Sequence, residues 1–220
     1  MFANRVLLLA ATGGLSFVLA ACAGVQPVAY SGIASSSQLQ ANHAGNSDRI
    51  PYDYSRQVDW SQYGKLVLDP VVVYRGSDAQ FGKLSPADES ALADYMGKTF
   101  GKRLSGRFAL VGQPAAGTLR IRLTLTGAET TKPVIGQAMH FDIAGNLYNG
   151  VQAVRGGQGA FSGSVSYAVE IYDASSNQLL KAYVSKQYPN AMNLPAAFGS
   201  LAAARTGLDK GADALVAMLK

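Results

Sequence analysis

Cys22 is the only cysteine in the chain and directly follows Leu19-Ala20-Ala21 at the end of an apolar stretch. Small residues ahead of a cysteine at that position match a lipobox, in which the chain is cut between Ala21 and Cys22 and the thiol takes a diacylglycerol. An acyl chain contributes about 0.8 kcal/mol per buried methylene, so one chain holds marginally while two or three hold permanently. The alternatives are weaker: a free thiol in an oxidising compartment is a liability. A single cysteine also excludes any intramolecular disulfide, so packing alone must hold the folded part. No cofactor is expected beyond the covalent lipid on Cys22.

The other residues able to do chemistry are scattered. His140 sits in Met139-His140-Phe141, within a long connection at 128–160, but no Gly-x-Ser-x-Gly nucleophile elbow accompanies it. The cluster Gly156-Gly157-Gln158-Gly159 is not followed by the Lys-Ser or Lys-Thr of a phosphate loop. His43 has no second His, Cys or carboxylate at ligand spacing, so no metal site is expected. Asp88 and Glu89 suit a helix's first turn, Asp173 suits a turn, and Glu170 suits a cross-strand pair with Arg120 or Lys181. No catalytic residues are expected. The residues that could meet a partner are Arg120, Arg122, Glu170 and Tyr172, on alternating positions of two strands, with His140 and Phe141 on the long connection.

These side chains need elements to carry them. Leu66-Val67-Leu68 and Val71-Val72-Val73 read as one strand interrupted by Asp69-Pro70, where proline removes a ladder donor. Ser85-Pro86-Ala87-Asp88 marks a helix start, with an N-cap, proline at the first helical position and a carboxylate in the first turn. Leu92, Tyr95, Met96, Phe100 and Leu104 then form an apolar stripe at spacings of three and four. Phe108 to Val111 suits a minor strand. Residues 118–126 and 164–172 alternate with period two, and residues 179–187 follow the second as a hairpin partner. Pro195 opens a last helix with Phe198, Leu201, Leu208, Ala212, Leu215 and Leu219 on one side. The expected fold is α+β: a mixed, mainly antiparallel sheet of about four strands with two helices on one face, in the order β-α-β-β-β-α. The other face, with Arg120, Arg122, Glu170 and Tyr172, is expected to be open to water or a partner.

Residues 1–21 read as an export signal: Arg5, then an apolar run from Val6 to Ala21 that is interrupted by Gly13-Gly14 and shorter than a bilayer span. Residues 22–57 are rich in Ser, Ala, Gln, Asn and Gly and are expected to form a lipidated, flexible tether. Tyr30-Ser31-Gly32-Ile33 and Leu39 are its apolar points, able to dock back on the domain. Residues 58–220 then form a single domain, which 220 residues at 48% apolar composition can support. The formal charge of +5 falls by one with the loss of Arg5. That mild excess is compatible with lipid headgroups or cell-wall polymer, and no nucleic-acid partner is expected.

Tyr30-Ser31-Gly32-Ile33, the run from Val58 to Lys65, Asp69-Pro70-Val71 and the run from Val169 to Ala174 resemble a bacterial lipoprotein family known as a domain of unknown function. The resemblance runs along nearly all of the chain after Cys22 and implies location and fold, with no catalytic residues to carry over. The element order is also similar to small lipoprotein domains that assist outer-membrane assembly or activate cell-wall synthases. The absence of Asp after Cys22 resembles lipoproteins sorted to the outer membrane, on its inner leaflet facing the periplasm of a two-membrane bacterium. The leading expectation is a non-enzymatic accessory that binds an envelope protein or cell-wall polymer. The alternatives are a carrier or sensor with a pocket near Tyr95, Phe100 and Tyr167, or an envelope hydrolase using His140.

Overall fold

The computed structural model describes residues 25–130, 163–190 and 201–220. In chain order these hold β1 (Gln40–Ala41), β2 (Tyr52–Ser55), β3 (Lys65–Leu68), β4 (Val72–Val73), α1 (Pro86–Leu104), β5 (Ala109–Leu110), β6 (Thr118–Glu129), β7 (Ser164–Asp173), β8 (Leu179–Gln187) and α2 (Ala202–Met218).

The long alternating runs make the centre of the sheet. β6, β7 and β8 are mutually antiparallel, with Arg122 opposite Glu170 and Glu170 opposite Ala182. β3 and β4 lie end to end along β6, both parallel to it, and Asp69-Pro70 occupies the break between them. Parallel neighbours need a crossover, and α1 supplies it. Its start is fixed by Ser85, whose Oγ accepts a hydrogen bond from the Asp88 amide at 3.1 Å.

Both helices pack on one face of the sheet and against each other. Leu92, Met96, Phe100 and Leu104 of α1 and Leu208, Ala212 and Leu215 of α2 are fully buried over Leu119, Ile121, Leu123, Val169 and Ile171. Phe100 meets the ring of Tyr167 edge-on at 5.6 Å. α2 can approach this closely because Gly207 and Gly211 face the sheet: a Cβ on Gly211 would lie 1.9 Å from the Tyr167 hydroxyl oxygen.

Among the described residues the sheet has eight strands in the order β1-β2-β8-β7-β6-β3-β5, with β4 beside β6. The expectation of about four strands in a β-α-β-β-β-α order is therefore corrected. The strand foreseen over 66–73 is split into β3 and β4, the minor strand foreseen at 108–111 holds β5, and the other three foreseen are β6, β7 and β8. Of the two strands not foreseen, β1 has two residues, too short for any period to show. The other, β2, forms because the outer edge of β8 presents unpaired backbone groups, which Tyr52 to Ser55 fill in antiparallel register.

The flexible tether foreseen over 22–57 also requires correction where it is described. Residues 25–39 lie across the sheet face opposite the helices. Tyr30 and Ile33 are buried there with Tyr74, Ala168 and Val184, while Leu39 and Tyr54 cover Tyr172, Leu179 and Ala182. The molecule thus has three layers: helices, sheet and an N-terminal strap. Composition suggested disorder, yet a few apolar anchors suffice when a sheet face awaits them.

Candidate functional site

The part of the strapped face left uncovered centres on β6. Arg120 and Arg122 point there, two residues apart on one strand, and Asp69 lies between them. The Arg120 Nε donates to both Asp69 oxygens at 3.0 and 2.9 Å, and the Arg122 Nε donates to Oδ2 at 3.2 Å. The carboxylate holds the Arg120 guanidinium above its usual pKa range through these bonds and its charge. Two guanidiniums on one carboxylate leave a single positive charge in excess. Each arginine side chain is 36% exposed against 18% for Asp69, so both cations are aimed but still wet. The Arg122 guanidinium also sits 5.0 Å from the Tyr172 ring centroid, a cation–π distance. The arrangement is a fixed pair of hydrogen-bond forks suited to a carboxylate or phosphate group.

Glu170 and Tyr172 are not part of that open surface. Glu170 is 4% exposed and its Oε1 accepts from the Ser35 amide at 2.7 Å and from the Tyr172 hydroxyl at 3.2 Å. The negative charge expected to face a partner instead holds the strap. Burial pushes the Tyr172 phenol up to about 12, helped by the Glu170 charge.

The strap is latched at two further places. The Tyr30 hydroxyl donates to Gln80 Oε1 at 2.8 Å, while Gln80 Nε2 donates to the Gln26 carbonyl at 2.9 Å. The Gly32 amide donates to the Tyr74 hydroxyl, which donates to Asp78; the Ser31 amide reaches the other Asp78 oxygen at 3.0 Å. Those donors, the Tyr74 hydroxyl first, hold the Asp78 carboxyl below the usual carboxylate range. Tyr30 has a backbone φ of 49°, uncommon for a non-glycine residue and retained here by this surrounding network. At the start of the strap, Lys186 Nζ donates to the Val25 carbonyl at 2.7 Å and lies 3.9 Å from Glu129. The Lys186 side chain is 1% exposed, and burial lowers its pKa.

Gln80 reaches the strap because residues 76–80 run along β6 past a bulge between Leu125 and Gly127. A Cβ on Gly127 would come within 2.7 Å of the Gln80 carbonyl oxygen, so glycine permits that approach.

Of the residues singled out from sequence, Ala21, Cys22, His140 and Phe141 lie outside the described residues, as does most of 128–160, although Ala128 and Glu129 complete β6. Arg120 and Arg122 stand together; Glu170 and Tyr172 are beneath the strap. Sequence reasoning missed Asp69 as their common partner, and missed Tyr74, Asp78, Gln80 and Lys186 as strap contacts. A lysine at an inward position of a buried strand was the one available signal. Where a ligand pocket near Tyr95, Phe100 and Tyr167 was considered, Phe100 and Tyr167 are packed together and Tyr95 donates to Asp209 at 3.0 Å. An open polar groove of about 430 Å³ lies instead at the β1 edge, beside Asn42, His43, Asp53 and Tyr54. Among the described residues there is no cluster of three or more His, Cys, Asp or Glu able to hold a metal.

Comparison with solved structures finds distant likenesses. The chain is similar to a PelC dodecamer subunit from Paraburkholderia phytofirmans at 8% identity and a TM-score of 0.37, over 72% of this chain and 92% of that one. It is also similar to the hypothetical protein CT253 from Chlamydia trachomatis, at 11% identity and a TM-score of 0.33, over 71% and 95% of the two chains. Protein XCC0632 from Xanthomonas campestris matches at 12% identity and a TM-score of 0.35, over 74% and 87%. No curated protein matches the chain. Residues 29–215, from the strap to the last helix, match a single family pattern, and the chain belongs to that family, described as Protein of unknown function (DUF3313).

Proposed function

We propose that this chain is an envelope lipoprotein acylated at Cys22, and that its domain serves as a non-enzymatic accessory binding an envelope protein or cell-wall polymer. The observation that carries the anchor is Leu19-Ala20-Ala21-Cys22, a lipobox holding the only cysteine behind an apolar run of signal length. The outer membrane, inner leaflet, is the location favoured by Ala23 rather than Asp after the cysteine. The contact surface is the Arg120 and Arg122 pair, half exposed and oriented by Asp69, which suits an anionic group on the partner.

Two measurements test this in cells. Labelled fatty acid is incorporated by the unaltered chain and lost in Cys22→Ser; equal labelling of both sinks the anchor. A photo-crosslinking residue in place of Arg122 gives a discrete adduct, whereas one in place of the exposed helix residue Lys98 does not. No adduct at 122, or the same adducts at both positions, sinks the contact surface.

A further inference from the structure

The strap changes what a lipid on Cys22 would do. A flexible segment over 22–57 would let the domain drift roughly 30 to 35 Å from the bilayer. In the structure, the Val25 carbonyl accepts from the buried Lys186 ammonium at 2.7 Å and the Val25 amide lies 3.4 Å from Glu129 Oε1. Three residue steps separate Cys22 from Val25, about 10 Å when fully extended. We propose that the domain is held end-on against the bilayer, with the corner formed by Val25, Glu129 and Lys186 facing the lipid headgroups.

Three observations carry this beyond the reach of the chain. The strap is fastened along its length, at Gln80, Tyr74, Asp78 and Glu170, so pulling at Cys22 acts on the whole body and not on a loose tail. Near the anchor Val25 is 53% and Val28 37% exposed, with the exposed polar Gln26 between them, a mixture of apolar and uncharged polar side chains that suits an interfacial position. β6 ends, β7 starts and β8 ends at this same corner, so their far ends, including the turn before Leu179, lie about 27 to 30 Å deeper in the aqueous space. The short reach from Cys22, about 10 Å at full extension, makes a lipid surface the occupant of this corner. Arg120 and Arg122, near the far end of β6, are presented away from it.

This inference rests on acylation of Cys22, and its test separates the two. Full-length chain carrying Val28→Cys or Gln178→Cys is purified from membranes, labelled with an environment-sensitive fluorophore at the introduced thiol, and placed in phosphatidylethanolamine and phosphatidylglycerol vesicles. Quencher-bearing lipids are then added, with fatty-acid incorporation measured on the same preparations. The expected result is several-fold quenching at position 28 and essentially none at 178. Acylated chains showing no quenching at either position overturn the close attachment; equal quenching at both overturns the end-on orientation. Absence of fatty acid, with no vesicle binding, overturns the lipoprotein reading itself.

Discussion

Replacing Gly211 with alanine tests how closely α2 lies on the sheet. In an exposed helix interior the exchange stabilises by about 1 kcal/mol, because glycine loses more backbone freedom on folding. At this position the added methyl carbon would stand 1.9 Å from the Tyr167 hydroxyl oxygen and 2.9 Å from its Cζ. Tyr167 is 1% exposed and its ring is braced by Phe100, so relief must come from moving the helix or the ring. Overpacking of this kind costs about 1 to 3 kcal/mol, and pulling a buried hydroxyl from its partner adds about 1. The steric penalty wins, and the net expectation is a loss of about 1 to 3 kcal/mol. Urea denaturation at unchanged m-value measures it. The paired variant Gly211→Ala with Tyr167→Phe removes the closest atom and should recover most of the loss. A Gly211→Ala protein that is more stable than the parent would refute the packing, placing α2 farther from β7.

Alkaline pH should unfold the domain through its buried phenols. Tyr30, Tyr63, Tyr167 and Tyr172, each at most 6% exposed, are raised from 10 to about 12, chiefly by burial. A raised folded pKa means that stability is fully present below pH 10 and lost as pH climbs through 12. Each phenol that ionises over that window withdraws stability from the folded state, so the four act together to open it. Tyrosinate absorbance should therefore rise with loss of circular dichroism in one step, and independent titration while the fold persists would contradict the burial. Substituting Asp69→Asn should cost no more than about 1 kcal/mol, since the arginines it joins are partly solvated, and the cost should shrink with added salt. Thermal melts at low and high ionic strength check both; a large, salt-insensitive loss would mean that the cluster is a structural keystone.

Long periodic elements were legible in the sequence because their signal is repeated. β6 alternates through Leu119, Ile121, Leu123 and Leu125, and all four are in the core. The first helix announced its start by Ser85-Pro86 and begins at Pro86. What escaped was information held by the partner and not by the segment. Gln40-Ala41 is a strand only because its neighbour offers free backbone groups. The strap reads as a polar tract until Tyr30, Ile33 and Leu39 meet a face they can cover. The same holds for the site. Arg120 and Arg122 were visible as outward positions, but the burial of Glu170 depends on Ser35, 135 residues away.

That separation bears on how the chain reaches its folded state. Val25 meets Lys186 across 161 residues, and β2 pairs with the last strand of the sheet. The strap can meet Tyr74, Asp78 and Gln80 early, but its contacts with Glu170 and Lys186, and the pairing of β2, wait until β7 and β8 have been made. Closing loops of that length delays the final pairings, so folding is slow for a domain this small. Until then the outer edge of β8 remains free to pair with another chain.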